Sequence, residues 1–258
     1  MKYFTKEWYE LCQKTSFHLL LEEENQAETF SEEFFLHLYN TELNTWLNLQ
    51  EEIDSIMKNN ETVNTDDNNE YEPFNRDKII EQFHDGFIHN QEHLKRELPE
   101  TILNQIADLR VFALNKATRP VMNAVIQFCE NNERSVTATS EDYRKYIEEA
   151  SNTLDKEIIK RFRFHDCTII KSVQNDMSLT LFLDNTGGFT NIVEVNFENF
   201  DIIKQDDLLE DTWWLYEEVY KRNDTYEFHV LLQNNKTGLM DFIISADQVS
   251  FTSNQKNL

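Results

Sequence analysis

Near residue 160 the spacing of apolar side chains changes from about 3.6 residues to 2, and no other feature constrains the fold as strongly. Upstream, apolar residues recur at helical intervals. Thr5 can cap a helix through about Leu21, with Trp8, Leu11, Cys12 and Leu19 on one side. Ser31 can cap a second that carries Phe34, Phe35, Leu38, Leu43, Leu47, Ile53, Ile56 and Met57. The run KNNETVNTDDNNEYEP, residues 58–73, has too few apolar residues to order itself and reads as a mobile loop. Asn75 caps the next helix, which must break at Leu98–Pro99. One helix then runs to about Asn115, and another starts near Pro120 and ends in ENNERS. Ser140 caps a last one through Tyr143, Tyr146, Ile147, Leu154, Ile158 and Ile159. With only four Gly and three Pro in 258 residues, little interrupts such helices.

Downstream of Lys160 the segments CTIIKSV, SLTLFLD, NIVEVNF, WWLYEEVY, YEFHVLL and LMDFIIS are β-branched and aromatic, separated by QND, NTGG, KRND and NNKTG. The expected fold class is therefore α+β. An N-terminal antiparallel helical region over 1–160 precedes a C-terminal antiparallel β-sheet over 161–258.

Charge narrows the choice of partners. Twenty-four Lys and Arg against 48 Asp and Glu leave a net charge of −24. Such a field repels phosphate backbones and anionic membranes, so neither nucleic acid nor membrane is expected as a partner and a basic protein is favoured. Cys12, Cys129 and Cys167 show no paired spacing and suit reduced thiols. The opening MKYFTKEWYE places Glu7 and Glu10 where a leader needs an apolar run, and no apolar run reaches 18 residues. A cytoplasmic protein of undetermined oligomeric state is expected. With no GxGxxG, P-loop, GxSxG or CxxC pair, no cofactor is expected either.

Two stretches hold candidate chemistry. In FHDGFIHNQEH, residues 83–93, the helix carries Ile80, Phe83, Phe87, Leu94 and Leu98 as one apolar stripe. Asp85, His89 and His93, four apart, share the opposite ridge, and two imidazoles with a carboxylate are legitimate ligands for a divalent metal. A solvated polar face explains the same residues more simply. Gly86 lies beside the stripe and points to close helix packing. In RFRFHDCTI, Arg161 and Arg163 alternate with Phe162 and Phe164, a pattern read as an interdomain seam, and Cys167 reads as a buried structural thiol.

The second stretch is the hairpin WWLYEEVY–KRND–TYEFHVLL. If Lys221 to Asp224 form its turn, Trp213, Leu215 and Val219 share a core face with Tyr226, Phe228, Val230 and Leu232, broken by Glu217. The other face then carries Trp214, Tyr216, Glu218, Glu227 and His229, with Glu218 directly opposite Glu227. Like charges so placed repel unless something neutralises them. Helices of the first half that cover this face and lend an Arg or Lys would do so; otherwise the face is the candidate surface for a basic partner.

The stretch YFTKEWYELCQ, residues 3–13, resembles the start of a bacterial family of unknown function whose members begin Tyr-Phe-Thr-Lys-Glu-x-Tyr. The matching positions are Tyr3, Phe4, Thr5, Lys6, Glu7, Tyr9 and Gln13, with Cys12 where the family has Met. That resemblance implies a bacterial cytosolic protein and carries no catalytic residue. The β half also resembles small acidic sheet domains of toxin-immunity proteins. The expected function is a non-enzymatic acidic protein-binding module, immunity-like or regulatory. The alternative is a metal-dependent hydrolase using Asp85, His89 and His93 on the 76–98 helix.

Overall fold

The structure, a computed structural model, describes residues 1–60, 73–234, 236 and 238–254. The loop expected over 58–73 lies, from 61 to 72, outside the described residues; residues 58–60 are helical. Among the described residues the helices are α1 (Lys6–Cys12), α2 (Glu32–Asn60), α3 (Arg76–Glu97), α4 (Glu100–Leu103), α5 (Leu109–Ala113), α6 (Arg119–Ala150) and α7 (Lys156–Arg161). The strands are β1 (Glu22–Glu23), β2 (Lys116–Ala117), β3 (Thr168–Gln174), β4 (Ser178–Asp184), β5 (Ile192–Gln205), β6 (Thr212–Arg222), β7 (Thr225–Asn234) and β8 (Gly238–Ser253). The chain is α+β, helical to residue 161 and antiparallel β from 168 onward.

It divides into two compact units, Lys14–Asn131 and Met1–Gln13 with Asn132–Leu258. This division does not follow the change of period at 160. Leu154 and Ile158 belong to the core of the β unit, and Ile147, Ala150 and Ile159 pack against it, so the later helical residues side with the strands.

In the helical unit, α2 and α3 pack together and α5 and the start of α6 complete the core. Phe35 stacks on Phe87 at 5.9 Å, and Tyr39 meets Phe83 and Phe87 edge-on at 5.3 Å. Asp108 caps α5 and pairs with Arg110 at 2.8 Å, whose guanidinium also reaches Glu32 and lies 4.1 Å from the Phe35 ring centre. Strands β1 and β2 form a two-residue parallel pair.

In the other unit the strands close into a barrel of order β3-β4-β5-β8-β7-β6. Its interior is filled by side chains. Phe162 touches Phe164, Trp214 and Phe228 at 5.2, 5.5 and 4.6 Å between ring centres. Phe162 and Phe164 are thus core residues of one unit, where the sequence suggested a seam between two regions.

Thr5, Ser31 and Asn75 each accept a main-chain N–H at the start of their helix, as expected. Helix α1 ends at Cys12 and does not reach Leu21, and Leu19 and Leu20 are exposed. Helix α6 runs unbroken through ENNERS, because that run contains neither Gly nor Pro to stop it. Ser140 therefore sits inside a helix, and its hydroxyl donates to the Val136 carbonyl at 3.1 Å. A final short helix starts instead at Asp155, which caps α7.

Candidate functional site

The hairpin of β6 and β7 turns more tightly than expected. Arg222 faces Thr225, leaving Asn223 and Asp224 as a two-residue turn, with Asn223 at φ 54. That positive φ suits the two-residue turns whose twist matches a hairpin. The pairing is displaced by two residues from the sequence expectation. Glu218 lies opposite His229, and Glu227 opposite Tyr220, so the two glutamates do not face each other.

A bulge between Trp214 and Tyr216 also breaks the alternation. The His165 ring bonds the Leu215 carbonyl there, and the Asp166 N–H donates to the Trp214 carbonyl at 2.9 Å. Before the bulge, Trp214 points inward with no exposed surface, and Trp213 points out. The sequence placed these two tryptophans the other way round, because one extra residue reverses every assignment on one side of it. Trp214 Nε1 donates to Glu217 Oε2 at 2.8 Å. Burial pushes the Glu217 carboxyl up to about 7, against the opposing pull of Trp214, the Phe164 backbone, His165 and Arg163.

Glu218 is fully buried on the outer side of the sheet. Its Oε1 accepts the main-chain N–H of Tyr3 at 2.8 Å and of Phe4 at 2.6 Å. Its Oε2 accepts the N–H of Lys2 at 2.8 Å and the Tyr220 hydroxyl at 2.5 Å. Four donors thus converge on one carboxylate, three of them successive backbone amides wrapped around an anion. Burial, reinforced by Glu218, raises the Tyr220 hydroxyl well above its ordinary value.

Around this anchor the rings form a continuous layer. Tyr216 meets Phe4, Trp8, Tyr9 and His165 between 4.8 and 6.2 Å. Phe4 meets Tyr143 edge-on at 4.8 Å, and the Val219 N–H donates to the Tyr143 hydroxyl at 3.1 Å. The face expected to receive a basic partner thus receives the chain's own opening segment, the same stretch that carries the family resemblance. Nothing in the local pattern of either stretch linked them; their separation exceeds 210 residues.

Glu227 and His229 lie farther along the face. His229 Nε2 meets Glu227 at 2.6 Å, and because the carboxylate only accepts, Nε2 carries the proton. Arg222 approaches the other Glu227 oxygen at 3.6 Å. His229 Nδ1 is buried with no hydrogen-bond partner among the described residues.

On α3, Asp85 and His89 are exposed along one ridge, as their spacing predicts. His93 is half-buried, contacting Phe17 at 5.7 Å and the Arg96 guanidinium at 3.1 Å. Among the described residues no three His, Cys, Asp or Glu side chains gather closely enough to hold a metal ion.

The α2–α3 hairpin carries a feature that periodicity alone did not single out. A pocket of about 330 Å³ opens between the helices, lined by Trp46, Phe83, Gly86, Phe87 and Leu114, with Glu42 at its edge. Asn90 is held there by the Ala113 carbonyl at 2.9 Å. A Cβ added at Gly86 would meet nothing within 4 Å, so this glycine opens onto space, whereas close helix packing was expected of it. From Trp46 the apolar side of α2 continues through Leu49, Ile53 and Ile56, each 39–52% exposed, while Leu47 is buried. A mid-helix glycine beside an apolar stripe was the available signal; that it faces a pocket depends on α5, which local sequence does not place.

Fold and geometry define a two-unit α+β protein, a helical unit with an uncovered apolar ridge and a closed antiparallel barrel clasping the first residues of the chain. It belongs to the family described as "Protein of unknown function (DUF4085)", whose model matches residues 29–245. No curated protein and no solved structure matches it. Among the described residues no helix is long and apolar enough to cross a membrane.

Proposed function

We propose that the chain is a non-enzymatic acidic protein-binding module, a cytoplasmic bacterial protein of immunity-like or regulatory type, and that its basic partner docks on the α2–α3 hairpin. The observation that carries this reading is the exposed ridge Trp46, Leu49, Ile53 and Ile56, running out of the pocket beside Gly86. Contiguous uncovered apolar surface of this kind marks interaction sites, and a pocket at one end of it suits an apolar anchor side chain. Glu42 and Glu52, on the same side of α2, carry no ion pair among the described residues. Together with the net charge of −24 they favour a basic amphipathic segment as the occupant. The outer face of β6 is a poorer choice, since Tyr216 and Glu218 already hold residues 2–9 of the same chain.

A photo-reactive amino acid placed at Ile53 of the full chain in its native host tests this, with Ile170 on the barrel as the comparison. The reading expects a basic protein cross-linked from Ile53 and not from Ile170. Once purified, that protein should bind the Ile53→Asp variant about tenfold more weakly than wild type. Equal binding, or no product specific to Ile53, contradicts it.

A further inference from the structure

One end of the barrel is basic, against the sign of the rest of the molecule. A groove of about 620 Å³ lies there, lined by Lys160, Arg161, Arg163, Phe189, Asn191 and Ser253, with Glu157 the single acid on its wall among the described residues. The two glycines before Phe189 explain how its loop is held. A Cβ on Gly188 would lie 2.5 Å from Cys167 Sγ, and one on Gly187 would lie 3.0 Å from the Asp166 carbonyl oxygen. The loop therefore presses directly on the segment entering β3. Asn185 Nδ2 donates to the Thr190 carbonyl at 3.0 Å, and the Gly188 N–H donates to the Asn185 carbonyl at 3.1 Å. A braced turn thus holds Phe189 out into solvent, 92% exposed, next to three cations.

Arg161 is fixed as well. Its Nη2 donates to the Phe251 carbonyl at 3.3 Å and Ser253 Oγ at 3.2 Å, and its guanidinium lies 5.0 Å from the Phe251 ring centre. None of the three cations forms a carboxylate ion pair among the described residues. A planar guanidinium held in place with a free edge is suited to phosphate oxygens, and an exposed ring on a braced turn to stacking on a flat heterocycle.

From this geometry we infer that the groove binds a nucleoside phosphate, with the phosphates against Lys160, Arg161 and Arg163 and the base against Phe189. The groove falls within the size range of small-ligand sites, and the net charge of −24 favours a free nucleotide over a long polyanion. This site is independent of the α2–α3 hairpin, and either assignment can fail alone.

Calorimetric titration of the full chain with ATP, GTP, inorganic triphosphate, adenosine and a single-stranded oligodeoxynucleotide tests it. Saturable binding of the nucleoside triphosphates is expected, with adenosine binding weakly. Phe189→Ser should weaken ATP about tenfold, Phe189→Tyr should preserve it, and neither should change inorganic triphosphate binding. Lys160→Glu with Arg163→Glu should abolish both; these side chains are exposed, and an unchanged melting temperature certifies the variants. The inference is overturned if wild type shows no saturation with any nucleotide below about 1 mM. It is equally overturned if Phe189→Ser binds ATP like wild type, or if the oligonucleotide binds more tightly than ATP.

Discussion

The main-chain N–H of Phe4 donates to Oε1 of Glu218 at 2.6 Å, tying the start of the chain to the outer face of β6. Glu218→Ala would strand the amides of residues 2–4 and the Tyr220 hydroxyl, four donors that the carboxylate now satisfies. Each unsatisfied buried donor costs on the order of 1–3 kcal/mol, and some of these will recover water, so a loss of about 3 kcal/mol is expected. Urea unfolding measures it. Deleting residues 1–4 should then cost much less in Glu218→Ala than in wild type, the mark of a shared interaction.

Stability should fall as pH rises from about 4.5 to neutrality, because of Glu217. In the folded chain its carboxyl holds a proton up to about pH 7, whereas the ordinary value is 4.5. Between these values the folded state binds more protons than the unfolded one. Its contribution is therefore most favourable below pH 4.5 and is lost as pH approaches 7, by up to ~3 kcal/mol. Glu217→Gln should flatten that slope in melting curves taken from pH 5 to 8. An unchanged slope would mean that other groups produce it.

Two glycines should respond oppositely to alanine. At Gly86 a Cβ enters open space within a helix, so Gly86→Ala should stabilise by about 1 kcal/mol. At Gly188 it would collide with Cys167 Sγ, so Gly188→Ala should destabilise by about 1–3 kcal/mol. Chemical denaturation of both variants checks the pair of signs.

The thiols should be sluggish. Burial pushes both Cys12 and Cys167 up to about 11, and Cys129 has no exposed surface. Alkylation at pH 8 should therefore be slow in the native protein and complete for all three thiols in denaturant, as mass spectrometry can count. Rapid labelling of Cys12 in the native state would show that α1 leaves the barrel face.

How far the sequence foretold this structure depends on the range of the signal. The change of period at 160 and the caps at Thr5, Ser31 and Asn75 are local signals, and the structure has helix to Arg161, strand from Thr168 and all three caps. The sheet was legible, but its closure was not, because pairing of β3 with β6 is a long-range contact. The face of Trp214 was lost to a bulge, which leaves no mark in an alternating pattern. Glu218 drew notice as a charge needing neutralisation, and the neutralising group proved to be three backbone amides, which have no side-chain signature. Of the exposed ridge on α2, Ile53 and Ile56 were expected as part of the helix's apolar face and Trp46 and Leu49 were not; only the packing shows that Leu47 is buried while these four stay exposed.

The most direct test of docking on the hairpin is the dissociation constant of the purified cross-linked partner for wild type, Gly86→Leu and Tyr216→Ala. Gly86→Leu fills the pocket at a position where the backbone accepts a side chain, so it should stay folded and bind about tenfold more weakly, with Tyr216→Ala near wild type. Undiminished binding by Gly86→Leu, or loss confined to Tyr216→Ala, would contradict the assignment and return the interface to the barrel.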